Sequence, residues 1–187
     1  DYTSDNCSAI MYRDPDNNIV GTAFRGTRSA LQVGKQLKSY HFEKMVKLVR
    51  DSNATVMLYA SDAFSALYNA GMKKAFFTAL RNHPNDTMLI SGHSLGGALA
   101  SLFAHALGAH KRRHNMSYEI VLYTFAAPPV GDQTFVDELE RNVPNNYRIT
   151  RNYDIIPSIY PAYVHTKNER FYKEHMDEGA PFDECED

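Results

Sequence analysis

Residues 87–108 read TMLISGHSLGGALASLFAHALG, and this stretch decides the fold. Thr87 to Ser91 is a short apolar run, and it is followed by a glycine-flanked turn at residues 92–97. Small and apolar residues then dominate from Ala98 to Gly108. This order predicts a buried strand, a tight turn and a helix. The turn satisfies G-x-S-x-G at Gly92 to Gly96, the pattern of a strand-to-helix elbow that presents a serine hydroxyl.

Physical reasons support the elbow interpretation of Ser94. A serine that projects from such a turn sits on strained backbone, and the residues two before and two after it approach too closely for a β-carbon. Small residues behind the turn, such as Gly97 and Ala98, let the helix pack tightly on the sheet. The alternative is a glycine-rich cradle for phosphate, but no lysine follows as a P-loop requires, and G-x-G-x-x-G is absent. We therefore interpret Ser94 as a nucleophile.

Strand and helix patterns alternate along the rest of the chain. They comprise a strand at Ile19 to Phe24, a helix at Ser61 to Arg81 with Ser61 as its N-cap, a strand at Glu119 to Phe125, a short helix at Phe135 to Leu139 and a strand at Tyr147 to Asn152. Residues 28–52 have a mixed helical spacing. Such alternation predicts an α/β fold in which a mostly parallel central sheet is flanked by crossover helices.

The composition is that of one globular domain, residues 1–187. Hydrophobic residues make up 43% and charged residues 22% of the chain, which excludes a disordered protein. The net charge is −2, so no overall positive field exists to hold nucleic acid or an anionic membrane. The longest apolar run, Ile120 to Val130, is too short to span a bilayer. We expect no nucleic-acid partner and no transmembrane segment.

Cysteines and glycosylation sequons indicate the compartment. The two cysteines, Cys7 and Cys185, lie near opposite ends of the chain. They could form a disulfide, which would stabilise the fold by about 4–5 kcal/mol in the loop-entropy model, pair with cysteines elsewhere, or remain thiols. Four N-x-S/T sequons start at Asn6, Asn53, Asn85 and Asn115. Four sequons in so short a chain favour a secreted glycoprotein.

The stretch from Ile90 to Ala100 resembles the nucleophile elbow of the class 3, or fungal-type, lipases. Three further segments resemble blocks of that family in the same order: Ala23–Thr27 its F-R-G-[ST] block, Tyr123–Gly131 its T-F-G-x-P-R-V-G block, and Arg148–Pro157 the segment with its acidic triad member. The second block departs from the family at Ala126, which replaces the usual glycine, and at Pro129, which replaces the usual arginine. The matches run from about residue 19 to 171 and are most similar to nematode-type members. The resemblance implies an α/β-hydrolase fold.

The resemblance also implies roles for individual residues. Ser94 would attack an ester carbonyl and form an acyl-enzyme that water then hydrolyses. Asp154 would orient a histidine and stabilise its imidazolium, although an aspartate before Ile-Ile-Pro could also simply cap a turn. The backbone N–H of Leu95, from the elbow geometry, and Thr27, from the resemblance alone, would donate to the oxyanion. Residues 28–39 would form a mobile lid with an apolar side, or else pack that side on the core.

The catalytic histidine is harder to find. In hydrolases of this fold it follows the acidic residue, and only His165 and His175 come after Asp154. His165 matches a histidine that the family carries in addition to its catalytic one, so it is a fallback. No segment here resembles the block with the catalytic histidine, and we expect that base beyond Asp187, in a C-terminal segment that this chain lacks. The upstream histidines, including those of the His110–His114 run at a predicted helix C-terminus, are expected to be solvated or capping.

The sequence therefore predicts a secreted serine hydrolase of carboxylic esters that acts on lipid esters, such as acylglycerols, at a lipid–water interface. Two alternatives stay open: a lipase-like protein that binds lipid or a partner without turnover, and an esterase for small non-lipid esters. Neither H-E-x-x-H nor C-x-x-C occurs, so metal-dependent chemistry is not expected. We predict no cofactor.

Overall fold

The structure is a computed structural model that describes residues 7–26, 44–48 and 52–185. In chain order, the strands and α-helices of these residues are β1 (Ser8–Asp14), β2 (Ile19–Arg25), β3 (Met45–Lys47), β4 (Thr55–Met57), α1 (Leu58–Leu67), α2 (Lys73–Asn82), β5 (Thr87–His93), α3 (Leu95–Arg113), β6 (Ile120–Phe125), α4 (Gln133–Asn142), β7 (Asn145–Arg151), β8 (Glu169–Tyr172) and β9 (Asp183–Cys185). A π-helical segment, Tyr68–Met72, joins α1 to α2, and a 3-10 turn, Ile156–Ser158, follows β7.

The main sheet has seven strands in the order β1-β2-β5-β6-β7-β8-β9. Neighbours from β2 to β8 pair in parallel, whereas β1 and β9 run antiparallel at the two edges. Helices lie between β2, β5, β6 and β7 in the chain, as crossover connections require. The predicted α/β fold, with a mostly parallel central sheet flanked by helices, is confirmed. Because β5, β6 and β7 are parallel, the loops after their carboxyl ends meet at one edge of the sheet.

Helix α3 packs into the core along most of its length, with twelve of its 19 residues buried. Phe103 joins it to three other elements, because its ring lies 5.7 Å from that of Phe24, 6.3 Å from that of Phe64 and 5.0 Å from that of Phe76. The cations Lys111, Arg112 and Arg113 occupy its last turn, where they complement the helix dipole as predicted. Within the described ranges, no helix is both long enough and apolar enough to cross a membrane.

The helix predicted over residues 61–81 is two helices. Gly71 interrupts it with φ 131° and ψ −17°, a conformation that residues with a side chain rarely adopt. The break is therefore built around the one glycine in this stretch, and α2 leaves it in a new direction that the periodic pattern did not reveal.

The predicted N-cap at Ser61 is wrong, because α1 begins three residues earlier, at Leu58. No side chain caps this helix. Instead β4 passes directly into α1, and the N–H of Leu58 donates to the carbonyl of Lys44 at 2.8 Å. Tertiary hydrogen bonds rather than local sequence fix this helix start.

Three strands of the main sheet have no pattern that predicts them, namely β1, β8 and β9. Most of their residues are exposed or half-buried, so apolar and polar positions do not alternate along them. The short strand β3 lies in the region with mixed helical spacing and pairs antiparallel with β4. These strands form because a neighbouring strand offers its hydrogen bonds, and not because of a local signal.

The two cysteines lie at opposite edges of the main sheet. Cys7 directly precedes β1, and Cys185 ends β9. Six inter-strand spacings of about 4.8 Å put them roughly 29 Å apart, whereas a disulfide needs Cα atoms within about 7 Å. A disulfide between Cys7 and Cys185 is therefore excluded in this fold, and bonds to cysteines elsewhere stay a prediction.

Candidate active site

Ser94 is the single residue between β5 and α3. Its backbone has φ 55° and ψ −129°, a conformation that costs a residue with a side chain about 1–3 kcal/mol. Hydrogen bonds hold it there, since its N–H donates to the carbonyl of Phe125 at 2.9 Å and its carbonyl accepts from the N–H of Gly97 at 2.9 Å. The predicted strand–turn–helix elbow is thus present, and its turn is tighter than the stretch 92–97 suggests.

Glycines let three backbone segments meet at this elbow. A β-carbon on Gly92 would lie 2.1 Å from the carbonyl oxygen of Gly96, and one on Gly96 would lie 2.3 Å from that of Phe24. On the opposing strand end, a β-carbon on Gly26 would lie 2.8 Å from the carbonyl oxygen of His93. The end of β2 therefore packs directly against the elbow, with no room for a β-carbon at any of these glycines.

Asp154 lies in the loop after β7 and is half-buried. Its N–H donates to the carbonyl of Arg151 at 3.2 Å, and its Oδ1 accepts from the N–H of Ile156 at 3.0 Å. The aspartate thus caps the 3-10 turn, as the simpler interpretation of its sequence position suggests. Its Oδ2 accepts no hydrogen bond from the described residues, so capping leaves one carboxylate oxygen available for a histidine.

One cleft of about 710 Å³ is lined by His93 of the elbow and by the Asp154 loop, whereas Ser94 itself is not among its lining residues. Most of its lining residues end or follow β5, β6 and β7, among them His93, Phe125, Ala126, Arg151, Tyr153 and Asp154, and Met176 joins them from the loop after β8. Apolar side chains form part of its rim, with Tyr153 94% exposed, Met176 45% and Phe125 38%. Sequence reasoning did not single out Tyr153 or Met176, because both lie in loops that carry no periodic signal.

The predicted oxyanion donors are only partly described. Leu95 begins α3, and its N–H is among those that have no partner within the helix. A β-carbon on Gly26 would lie 3.3 Å from the Leu95 nitrogen, so the chain just before Thr27 passes beside that N–H. Thr27 itself and the predicted lid, residues 28–39, lie outside the described residues.

Of the two histidines after Asp154, one is engaged by another residue and the other lines a different cavity. His165 is engaged through its Nε2 with the carbonyl oxygen of Pro157, at 2.7 Å. Burial, and then the charge of Arg148, lower the pKa of His165. His175 is exposed and lines a different cavity. In the part of the chain that the structure describes, no histidine forms a hydrogen bond with Ser94 or Asp154.

A serine–glutamate–histidine network joins α3 to α4, where the sequence did not suggest one. His105 is fully buried, which corrects the expectation that it is solvated or capping, and its Nε2 lies 2.9 Å from Oε2 of Glu138. Ser52 donates its hydroxyl to the same carboxylate at 2.8 Å. Because Glu138 stands between them, the serine has no base and the network is structural. The described residues also contain no group of three or more His, Cys, Asp or Glu that could hold a metal.

Comparison with known proteins relates this geometry to a family. The chain matches the family model described as Lipase (class 3) over residues 22–164. It is 31% identical over 117 residues to secreted mono- and diacylglycerol lipase 1 of Fusarium solani, which covers 61% of this chain and 32% of that protein. It is 23% identical over 164 residues to lipase ZK262.3 of Caenorhabditis elegans, covering 85% of this chain and 43% of that one. The chain thus spans less than half the length of either relative.

Solved structures agree on the fold. The crystal structure of the lipase from Rhizopus microsporus var. chinensis superposes with a TM-score of 0.80 at 21% identity, covering 96% of this chain and 61% of that one. The family match extends over about three quarters of the chain and includes both Ser94 and Asp154. The chain therefore belongs to the class 3 lipase family and has the α/β-hydrolase fold.

Proposed function

We propose that the chain carries the core of a serine hydrolase that cleaves carboxylic esters of lipids, acylglycerols in the first place, through an acyl-serine at Ser94. The observation that carries the proposal is the strained backbone of Ser94 at the junction of β5 and α3. Strain of this kind persists where the surrounding structure enforces it and clusters at active sites. Family membership supports lipid ester hydrolysis, and the Fusarium relative is named for mono- and diacylglycerols.

The proposed reaction begins when Ser94 Oγ attacks the ester carbonyl and gives its proton to a histidine. The N–H of Leu95 and a donor at Thr27 stabilise the tetrahedral oxyanion, and loss of one such donor typically costs about 2.7–4 kcal/mol. Collapse of this intermediate expels the alcohol, which takes the proton from the histidine. Water then attacks the acyl-serine with the same base and releases a fatty acid.

We propose that Asp154 orients this histidine through the carboxylate oxygen that turn capping leaves available. His165 is engaged with Pro157, and His175 lines a different cavity. Both observations support a catalytic base other than these two histidines. The histidine is proposed to lie outside the 187 residues, as the sequence blocks suggest.

A fluorophosphonate probe, which reacts with activated serines, tests the nucleophile. In protein that carries the expected histidine segment, we expect mass spectrometry to find the adduct on Ser94 and none on Ser94→Ala. Ser91→Ala is the matched control, because Ser91 lies on β5 three residues before the elbow and its loss should leave labelling intact. Asp154→Asn should slow labelling by about 10⁴-fold, as loss of the orienting carboxylate does in serine hydrolases. A histidine-containing form that is never labelled would sink the enzyme proposal and favour lipid binding without turnover.

A chain-length series separates lipid esters from small esters. We expect hydrolysis rates to rise from acetate to octanoate esters and to increase again when the substrate forms an interface. The physical reason is the apolar rim of the cleft, where Tyr153, Met176 and Phe125 are exposed. Highest activity on monomeric acetate esters would instead identify an esterase for small substrates.

We further propose that the protein is secreted and glycosylated. Asn53, Asn85 and Asn115 are exposed, as a glycosylation acceptor must be, whereas Asn6 lies outside the described residues. The Fusarium relative is named as secreted. Expression in a secretory eukaryotic host should give a protein whose mass falls on enzymatic deglycosylation. Each of the variants Asn53→Gln, Asn85→Gln and Asn115→Gln should carry one glycan fewer, and its mass before deglycosylation should be lower by that glycan. Recovery of unmodified protein from that host would contradict this proposal.

A further inference from the structure

A second cavity, of about 780 Å³, lies at the other end of α3 from Ser94. The π-helical segment, helix α2, His110 of α3 and Met116 border it. His110 comes sixteen residues after Ser94 on one continuous helix, so a rise of 1.5 Å per residue puts them roughly 24 Å apart. The cavity is therefore separate from the cleft beside Asp154.

The floor of this cavity is apolar. Phe77, Leu80, Pro84 and Met116 are among its lining residues, and its volume is within the range of about 300–1,000 Å³ typical of small-molecule sites. Phe77 is held in place from two sides, since its ring packs edge-on against that of Phe76 at 5.6 Å and that of His110 at 4.9 Å. The floor is thus formed without a ligand.

The mouth of the cavity is positively charged. Lys73, Lys74 and Arg81 line it, all three are exposed, and no aspartate or glutamate is among the lining residues. None of the three cations forms an ion pair with a carboxylate of the described residues, and Lys73 lies 5.7 Å from the ring centre of Tyr68. This concentration of positive charge contrasts with the net charge of −2 of the whole chain.

Helix α2 arranges the two chemistries side by side. Lys73, Phe77 and Leu80 are four and three residues apart and so share one face of the helix. Lys74 and Arg81, seven residues apart, share the adjacent flank. A ligand that matches this helix needs an apolar chain to contact Phe77 and Leu80. It also needs a negatively charged group to pair with Lys74 and Arg81.

We propose that this cavity binds a single-chain fatty acid, with its aliphatic chain against Phe77, Leu80 and Met116 and its carboxylate near Lys74 and Arg81. The choice of a carboxylate among aliphatic anions rests on the proposed function, because ester hydrolysis releases a fatty acid. Binding itself needs no reaction at Ser94. The site would hold the product class at a distance from the place where it is made.

Titration calorimetry with monomeric laurate tests the proposal, using the full chain and its Ser94→Ala variant. We expect one laurate per chain in both, which separates the outcome from any failure of hydrolysis. The double variant Lys74→Glu/Arg81→Glu changes only exposed side chains and should weaken laurate binding at least tenfold. Lys44→Glu/Lys47→Glu carries the same change in charge at strand β3 and should bind laurate as the unchanged protein does.

Two further ligands test the two halves of the site. Octanoate, which is four methylenes shorter, should bind at least tenfold more weakly than laurate, because each buried methylene contributes to affinity. Dodecyltrimethylammonium, whose aliphatic chain is one carbon longer and whose charge is opposite, should not compete with laurate. Equal affinity of laurate for the protein and for Lys74→Glu/Arg81→Glu, or competition by the cationic chain, would overturn the proposal.

Discussion

The backbone of Ala126 lies in the left-handed region, with φ 48°. This alanine follows β6 directly and lines the cleft. Its N–H donates to the carbonyl of Ile149 at 2.9 Å, which holds the strained backbone in place. We expect Ala126→Gly to raise the free energy of unfolding by about 0.5–1 kcal/mol. Relief of the left-handed penalty gives about 1–2 kcal/mol, and the freedom of glycine in the unfolded chain takes back about 0.4–1 kcal/mol. Urea denaturation followed by circular dichroism measures the change.

Asn18 is the matched control for this prediction, because it also has a left-handed φ, of 53°. Asparagine adopts this conformation readily, so Asn18→Gly should change the free energy of unfolding by less than about 0.5 kcal/mol. An Ala126→Gly variant that is less stable than the parent, or an equal gain at Asn18, would show that the strain is not specific to alanine at this turn.

At single residues, local causes were predictable and tertiary causes were not. The close approach at Gly92 and Gly96 follows from the elbow pattern itself, and the structure shows the contacts that forbid a β-carbon there. The departure of Ala126 from the family glycine is visible in the sequence, but its positive φ depends on a hydrogen bond to β7. The burial of His105 depends likewise on Glu138, which is distant in sequence.

Among the helices, α4 is tied to the strand β4 through the side chain of Asp132. Its Oδ1 caps the helix by accepting from the N–H of Phe135 at 2.8 Å, and its Oδ2 accepts from both the N–H and the hydroxyl of Thr55. Asp132→Ala should therefore lower the free energy of unfolding by about 2–4 kcal/mol. Loss of the cap costs about 1 kcal/mol, and the unpaired donors of Thr55 cost about 1–3 kcal/mol more. Urea denaturation measures this loss.

Asp132→Asn separates the two contributions. Asparagine keeps an oxygen that can cap the helix, but it cannot accept at both positions at once. We expect a loss smaller than that of Asp132→Ala, and we expect Thr55→Val in the Asp132→Ala background to recover part of the stability. Equal losses for alanine and asparagine would show that the contact with Thr55, and not the cap, carries the stabilisation.

Elements with a buried face were predictable, and elements at the edges were not. The strands β2, β5 and β6 and the helix α3 have apolar runs or small-residue runs that mark their interiors. By contrast, β8 and β9 are short, β8 is half-buried and β9 is largely exposed, so their pairing with β7 and with each other is a tertiary effect. The start of α1 depends on hydrogen bonds to residues far along the chain, which no local capping signal reports.

On the scale of the whole molecule, the sheet order separates the two cysteines. We expect mass spectrometry of the oxidised, unreduced chain to find no peptide that links Cys7 to Cys185, because six inter-strand spacings separate the two residues. Reduction should leave the free energy of unfolding of the isolated chain unchanged within about 0.5 kcal/mol. Loss of a native disulfide would instead lower it by about 2–5 kcal/mol. Detection of the linked peptide in folded monomer would contradict the strand order at one of the two edges.

Acid should destabilise the molecule through histidines whose pKa the fold lowers, of which His105 is fully buried and His110 and His165 are half-buried. Burial is the largest cause that lowers the pKa of His105, His165 and His110 in the folded chain below the ordinary value of 6.5. Glu138 opposes this shift at His105 without reversing it. Each histidine is therefore neutral in the folded state over a range of pH in which the unfolded state already binds a proton.

The free energy of unfolding should consequently fall as pH decreases from 7.5 to 5.5. The unfolded chain binds more protons below pH 6.5, and each such histidine contributes a slope of up to about 1.4 kcal/mol per pH unit until its folded pKa is reached. Urea denaturation at several pH values measures this slope. His105→Gln and His165→Gln should each flatten it, whatever they do to stability at pH 7.5, whereas His175→Gln, at an exposed position, should not. A stability that is constant or rises towards pH 5.5 would show that these imidazoles gain a proton as readily in the folded chain as in water.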